Sequence, residues 1–303
     1  SIEAKRARRW RGRCCLALSV SAAALLGGCV QFSPDGGMLL VEERASSEGQ
    51  EVIKIRSEEE AAHAQARVRA LLAEPLTADA AVQVALLNNR GLQAAYNELG
   101  ISEAQMVEAS LPPSPSFALS KLFTTGQFEI ERQIVQNVLG LLTLPRRREI
   151  AEDRFRQAQV RAVEETLRTA ATARRAYYRA VAANQTVNFL EKARLSAEST
   201  SELSKKLGET GALSKLDQAR EHAFYAEVST QLAAARLRQR SAREAVNRAL
   251  GLWGAQTDYE LPGSLAGLSP PPPPIDDVET QAVLSRAELQ IARMELTILA
   301  KQY

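Results

Sequence analysis

The sequence predicts a mainly α-helical protein with a small β part, in which long antiparallel coiled-coil-like helices accompany a β-hairpin. The chain is 45% hydrophobic but only 5% aromatic, so its apolar content is mostly Ala, Leu and Val, a composition typical of long helices. The 62 residues from Arg146 to Leu207 contain neither Gly nor Pro. Between Pro115 and Pro145 the spacing of apolar residues changes from three or four to two, which indicates strands.

The N-terminal segment has the pattern of a signal peptide. Residues 1–13 are basic, and residues 14–26 are apolar but too few to span a membrane as a helix. The sequence Leu26-Gly27-Gly28-Cys29 follows and resembles the lipobox of bacterial lipoproteins, in which the Cys is acylated. We therefore expect a lipoprotein signal peptide over 1–28, lipidation such as palmitate at Cys29, and an N-terminal tether segment over 29–75. An ordinary signal peptide with an incidental Cys is the alternative.

A helix is predicted over 76–110. Thr77 is a suitable N-cap, and Asp79 places a negative charge in the first turn. The helix ends before Pro112, Pro113 and Pro115, because three prolines in four positions cannot continue it.

The segment 115–140 has the alternation of a β-hairpin around the turn at Thr124 to Gln127. Apolar residues lie on one predicted face, and polar residues alternate with them. Each segment has about nine to eleven residues, the length of a tilted strand that crosses a membrane. A soluble hairpin that caps the helices is equally compatible with this pattern. The predicted membrane-facing residues are Phe117, Leu119, Phe128, Ile130 and Ile134.

A long helical hairpin is predicted over 146–250. Gly208 or Gly211 can end its first helix in the left-handed conformation, and Ser214 with Asp217 forms a capping-box pattern for the second helix. The chain therefore reverses sharply, and the second helix runs antiparallel to the first. The elements over 76–254 are predicted to form the first of two repeats.

Residues 85–105 and 282–302 share eight identities in 21 aligned positions. The second segment follows a Pro-rich linker over 255–274 with five consecutive prolines, which favours an extended spacer. We expect a two-repeat architecture in which 275–303 starts a second repeat, and we expect the chain to be truncated within it.

Composition excludes several functional classes. Six of the 38 basic residues and one of the 36 acidic residues lie within 1–28, so the remainder carries a net charge of −3, which removes the global support for nucleic-acid binding. The sequence has no P-loop, zinc-protease motif, dinucleotide-binding motif or nucleophile elbow. His63 and His222 lie far apart and have no neighbouring metal-ligand residues in sequence. We therefore expect no enzyme activity, no catalytic residue, no metal and no cofactor.

Five motifs, in this order and spacing, resemble those of the outer-membrane efflux protein family, the TolC-type outer-membrane factors. They are LTADAAVQVALLNNRGLQAA at 76–95, LPPSPSF at 111–117, LTLPRRREIAEDRFRQA at 142–158, TGALSKLDQA at 210–219 and AVNRALGLWG at 245–254. The chain departs from the family at Arg90-Gly91, where relatives often have Pro-Glu.

The resemblance implies that the helices form part of a periplasmic α-barrel and the β-hairpin part of a transmembrane β-barrel. It implies a homotrimer, lipid-anchored in the outer membrane of a Gram-negative bacterium and extending into the periplasm, that serves as the passive export duct of a tripartite efflux system. Its partners would be outer-membrane lipid, a periplasmic adaptor (membrane fusion) protein and an inner-membrane pump. The adaptor would dock at the hairpin tip, at Gly211, Leu213, Ser214 and Asp217. The alternative is a membrane-tethered coiled-coil lipoprotein with a structural or interaction role and no pore.

Overall fold

The computed structural model describes residues 31–124, 127–267 and 277–302. The signal segment, Cys29 and the run of prolines therefore lie outside the described residues. The helices are α1 Leu39–Ser47, α2 Glu58–Leu72, α3 Ala78–Asn88, α4 Arg90–Ser110, α5 Val138–Leu142, α6 Leu144–Glu209, α7 Lys215–Leu250, α8 Val278–Ser285 and α9 Ala287–Gln302, with a 3₁₀ turn at Gly254–Thr257. The strands are β1 Ser116–Thr124 and β2 Gln127–Val135. The mainly α fold with a small β part is confirmed.

The chain divides into two compact units. Of the described residues, the first contains those within 31–37, 98–159 and 290–302. The second contains residues 38–97 and 160–289. The β-hairpin belongs to the first unit, and the paired parts of α6 and α7 belong to the second.

The long helical hairpin is present, with α6 of 66 residues and α7 of 36. Helix α6 begins two residues earlier than predicted, because Pro145 fits the first turn, where no backbone N–H is needed. Its pairing with α7 includes an ion pair between Arg236 and Glu191 at 2.8 Å and a small apolar cluster of Val187, Leu232 and Ala235.

The main core of the second unit surrounds α3. This helix is buried over most of its length, because it lies against both α6 and α7 and against the chain that follows α7. The core residues include Val84 and Leu87 of α3, Ala173, Tyr177 and Ala180 of α6, Val246 and Leu250 of α7, and Tyr259. Small Ala side chains on α6 permit this close approach.

The prediction of one continuous helix over 76–110 is wrong, because the structure has two helices that are separated at Asn89. Thr77 caps α3 as predicted, accepting a hydrogen bond from the Ala80 amide at 3.1 Å. Asn89 then takes an extended conformation, and its side-chain oxygen accepts from the Gly91 amide at 2.8 Å. Asn89 is thus the N-cap of α4. The sequence does not indicate this break, because Ala and Leu continue the helical pattern across it.

The same break occurs in the C-terminal helices. Arg286, which is 197 residues after Asn89, is extended between α8 and α9, with ψ of 123° against 113° at Asn89. Its amide donates to Ala282, as the amide of Asn89 donates to Ala85. The two aligned segments therefore share a backbone feature besides their sequence identities.

The predicted tether segment contains two helices. In α2, Ser57 accepts a hydrogen bond from the Glu60 amide at 3.1 Å, and the Glu60 carboxylate accepts from the Arg56 amide at 2.6 Å. This reciprocal capping starts the helix, and Val68 of α2 joins the core around α3.

Candidate functional site

The first candidate site is the β-hairpin. Its strands pair antiparallel, with Phe117 opposite Ile134, Leu119 opposite Arg132, and Ser120 opposite Glu131. Since residues directly opposite each other share a face, Phe117, Leu119, Ile130 and Ile134 lie on one face as predicted. All four side chains are exposed. The backbone of Phe128 belongs to the same register, while its side chain lies outside the described residues.

The apolar face of the hairpin also contains two cations that the sequence analysis did not single out. Lys121 lies opposite Ile130, and Arg132 lies opposite Leu119. The other face is mainly polar, although it includes Val135, and there the Ser120 hydroxyl donates to the Glu131 carboxylate at 3.3 Å. The strict alternation along β2 could have revealed Arg132, because it is four residues from Phe128 and two from Ile130.

The base of the hairpin is tied to the Pro-rich segment before β1. The Gln136 side chain donates to the Pro113 carbonyl at 3.1 Å. Asn137 caps the short helix α5, accepting from the Gly140 amide at 2.8 Å. Helix α5 was not predicted, because five residues are too few for a helical period to show.

The second candidate site is the turn between α6 and α7. Gly211 has φ of +77° and takes the left-handed position, which settles the choice left open between Gly208 and Gly211. The Gly211 amide donates to Gly208 at 3.2 Å, and the Ala212 amide donates to Leu207 at 2.9 Å. This is a Schellman motif, which satisfies carbonyls at the end of α6.

The start of α7 is fixed by the predicted capping pair. The Ser214 hydroxyl accepts from the Asp217 amide at 3.1 Å and lies 2.6 Å from the Asp217 carboxylate, to which it donates. Arg220 pairs with the same carboxylate at 3.3 Å. Leu213 is half-buried, whereas Ser214 is exposed. Both belong, with Gly211 and Asp217, to the ordered turn that these hydrogen bonds define.

Gly208 has a role that the sequence analysis missed. The Gln218 side chain lies over it and donates to the Leu213 carbonyl at 3.4 Å. A Cβ at position 208 would stand within 1.3 Å of the Gln218 amide nitrogen, so any larger residue would displace this side chain. The pair Gly208 and Gln218 therefore packs the inner side of the turn.

Ion pairs join α9 to α6 in the first unit. The Lys301 ammonium lies 2.7 Å from the Glu149 carboxylate and also contacts Asp153. The hydrogen bond from Lys301 lowers the pKa of Glu149, and the hydrogen bonds to Asp153 and Glu149 raise the pKa of Lys301.

Three tyrosines are buried in the second unit: Tyr96, Tyr177 and Tyr259. Burial raises the pKa of Tyr96 to about 12, partly opposed by its hydrogen bond with Thr166 at 2.9 Å. Burial also raises the pKa of Tyr259 to about 12, although the Arg243 guanidinium lies 4.5 Å from its ring centroid. Both phenols are structural partners within the core.

Within the described part of the chain, no three His, Cys, Asp or Glu side chains are grouped as metal ligands. Among the helices that the structure describes, none combines the length and the apolar character needed to cross a membrane.

Solved structures of outer-membrane proteins have the same fold. A structure of CusC, concerned with folding and transmembrane channel formation, is 15% identical, with a TM-score of 0.60 over 74% of this chain and 54% of its own. The Campylobacter jejuni CmeC outer membrane channel is 17% identical, with a TM-score of 0.59 over 74% of this chain and 52% of its own. The Vibrio cholerae outer membrane protein VceC is 15% identical, with a TM-score of 0.59 over 74% of this chain and 57% of its own.

The fold is that of the TolC-type outer-membrane channels. This chain spans about half the length of the TolC-type structures that it matches. No protein-family model matches the sequence, and no curated protein is similar to it in sequence. The likeness to TolC-type channels therefore lies in the fold.

Proposed function

We propose that this chain contributes to an outer-membrane channel, the passive export duct of a tripartite efflux system. The main support for this proposal is a β-hairpin with one exposed apolar face within a TolC-type fold. An exposed apolar face is costly in water but suits lipid, and the polar face opposite it suits an aqueous lumen. This combination favours a duct over a tethered coiled coil without a pore.

We infer that the segment from 275 onward repeats the packing of the first repeat. Five apolar positions of α3 and α4 are at most 1% exposed: Ala81, Leu86, Leu87, Leu92 and Leu99. The positions 197 residues later are 37–68% exposed: Val278, Val283, Leu284, Leu289 and Leu296. An apolar face with this spacing fits a second helical pair of the α6–α7 type. In the proposed channel the subunits associate as a homotrimer.

The ordered turn at Gly211, Leu213, Ser214 and Asp217 is the proposed docking site for a periplasmic adaptor that connects to an inner-membrane pump. Its support is geometric. Two backbone hydrogen bonds and one side-chain cap hold the turn in one conformation, so the turn itself loses little conformational freedom when a partner binds. The neighbouring Leu216 is 62% exposed and offers apolar surface to a partner.

The proposed anchor is acylated Cys29 in the outer membrane, after removal of a signal peptide over 1–28. Two acyl chains would hold the protein stably, at about 0.8 kcal/mol for each buried methylene. The proposed function requires no chemistry by the protein, and the energy for transport would come from the pump.

The deciding experiment is single-channel recording after the protein, extracted from native membranes, is added to planar lipid bilayers. A duct gives stepwise, long-lived conductance. Bilayers that stay silent, with protein shown by flotation to be membrane-bound, would contradict the duct and favour a lipoprotein without a pore. Intact mass of the same sample tests the anchor, since acylation at Cys29 adds the mass of the acyl chains.

A further inference from the structure

Helix α5 leaves an unusual amount of apolar surface uncovered. Four of its five residues are large and apolar, and their side chains are 40–74% exposed: Val138, Leu139, Leu141 and Leu142. The one other residue of α5, Gly140, is partly covered. A helix of this composition gains little hydrophobic stabilisation from the way it is packed here.

The backbone of α5 is nevertheless held in a fixed conformation. Asn137 caps the helix, and the Thr143 hydroxyl donates to the Leu139 carbonyl at 3.0 Å. A Cβ at Gly140 would lie 3.1 Å from the Pro113 ring, so the glycine allows α5 to approach the Pro-rich segment closely. Gln136 binds the carbonyl of the same proline. The exposed face therefore belongs to a fixed element rather than to a loose loop.

The exposed surface of α5 follows the apolar face of the hairpin directly along the chain. Only Gln136 and Asn137 separate α5 from the last residue of β2. The adjacent strand pair of Phe117 and Ile134, 66% and 74% exposed, lies at this end of the hairpin. Helix α5 therefore comes directly after the end of the hairpin at which this exposed apolar pair lies.

Three cations follow α5 at the start of α6. Arg146 pairs with Glu149 at 3.1 Å, Arg148 pairs with Glu152 at 2.8 Å, and Arg147 reaches the Leu111 carbonyl at 3.4 Å. Positive side chains at a helix N-terminus oppose the helix dipole, and the side chains of Arg146 and Arg148 remain about half exposed despite their pairing. Lipid phosphates are suitable partners for the part of these guanidinium groups that stays exposed.

We propose that α5 is an interfacial lipid-binding element, a short apolar helix that lies at the boundary between acyl chains and headgroups. Its partner is the phospholipid leaflet at the end of β2. Val138, Leu139, Leu141 and Leu142 enter the acyl region, and the arginines that follow lie among the phosphates. The proposal rests on the proposed placement of the hairpin in the membrane. It adds an element outside the strands that fixes how deeply they sit.

The test uses tryptophan fluorescence in the full chain with Trp10 and Trp253 replaced by Phe. Single tryptophans are introduced as Leu139→Trp and Leu142→Trp in α5, as Leu119→Trp in β1, and as Leu237→Trp in α7. Leu237 is a matched control, because its side chain is 69% exposed, like that of Leu139 at 70%, on a helix not proposed to touch lipid. Each variant is reconstituted in phosphatidylcholine vesicles brominated at either shallow or deep acyl positions.

We expect loss of emission from both α5 variants, larger with shallow than with deep bromines, and the reverse order for Leu119→Trp. Leu237→Trp should keep its emission with both lipids. Quenching at position 119 without quenching at 139 and 142 would overturn the role of α5 and leave the hairpin in the membrane. Blue-shifted but unquenched emission at 139 and 142 would overturn it in favour of contact with a second copy. No quenching at 119, 139 or 142 would contradict both the membrane hairpin and the role of α5.

Discussion

The side-chain amide of Asn88 donates to the carbonyl of Gly251 at 2.8 Å, although the two residues are 163 positions apart. The same nitrogen donates to the Leu250 carbonyl at 3.2 Å, and the side-chain oxygen of Asn88 accepts from the Gln65 side chain at 2.9 Å. Asn88 therefore satisfies the last carbonyls of α7 from the end of α3, and it does so while buried.

Replacing Asn88 should destabilise the second unit. Asn88→Ala removes both donations and leaves buried carbonyls without these partners, which costs about 2–3 kcal/mol in the free energy of unfolding. Asn188→Ala is the control, because Asn188 makes a similar bond to the Gly263 carbonyl at 3.0 Å but is exposed. Urea unfolding should separate the two variants clearly, and equal effects would contradict the role of burial.

Gly251 should tolerate no side chain. It has φ of +69°, and a Cβ there would lie 2.9 Å from the Asn88 carbonyl oxygen. Gly49 is a matched control, because it has the same φ of +69° and no atom within 4 Å of the added Cβ. We expect Gly49→Ala to cost about 1–2 kcal/mol from the left-handed conformation alone. Gly251→Ala should cost at least about 1 kcal/mol more through overpacking, as measured by thermal unfolding.

Tyr96 should make the protein sensitive to alkali. Its pKa is about 12 in the folded state against an ordinary value of 10.0, so the folded state binds the proton more tightly. This stabilisation is complete below pH 10 and is lost as the pH rises toward 12. In Tyr96→Phe, stability should fall less steeply across that window, although loss of the Thr166 bond lowers it by about 1 kcal/mol at neutral pH. Unfolding at several pH values measures both effects, and an unchanged alkaline slope would contradict the assignment.

Charge on the apolar face of the hairpin should impair membrane assembly. Ile130→Asp places a carboxylate on the face proposed to meet lipid, at a cost of about 2 kcal/mol near the bilayer centre. Phe128→Asp should act in the same way, since the register puts position 128 on that face. Gln133→Asp introduces the same charge on the opposite face and should assemble normally. Because an acylated Cys29 would keep the chain at the membrane in either case, the readout is single-channel conductance, and normal conductance of Ile130→Asp would count against the barrel.

The cap at the tip should stabilise the start of α7. Ser214→Ala removes the acceptor of the Asp217 amide, which costs about 1 kcal/mol. Ser214→Thr keeps a hydroxyl and should lose less. The readout is the unfolding free energy of each variant, and a loss for the threonine variant as large as for the alanine variant would argue against the cap.

Local patterns in the sequence were sufficient for much of the fold. The run without Gly or Pro predicted α6, and Ser214 with Asp217 predicted the start of α7, because capping depends on residues only three apart. Alternation likewise predicted the face that holds Phe117 and Ile134. These features depend on period and on neighbouring residues, which a single sequence displays.

Features that depend on distant parts of the chain could not be predicted in this way. The break at Asn89 accompanies a bond from its side chain to the Ala249 carbonyl at 3.0 Å, 160 residues away. Glu103 is buried in contact with Ser33, whose amide donates to it at 2.5 Å, and nothing in either local sequence indicates that pairing. The candidate docking turn was predictable as structure, whereas its packing through Gly208 and Gln218 depends on the antiparallel return of α7.

The α6–α7 hairpin has contacts whose separation along the chain grows in steps. Tyr225 and Glu198 are 27 residues apart, Arg236 and Glu191 are 45 apart, and Gln239 and Asn184 are 55 apart. The entropy lost in closing a loop rises only slowly with its length, so each contact made after the turn adds little further cost. Such a hairpin can pair progressively, starting from the turn over residues 210–214. The bond from Asn88 to the carbonyl of Gly251 closes a loop of 163 residues, and the paired α6–α7 hairpin shortens the free chain within that loop.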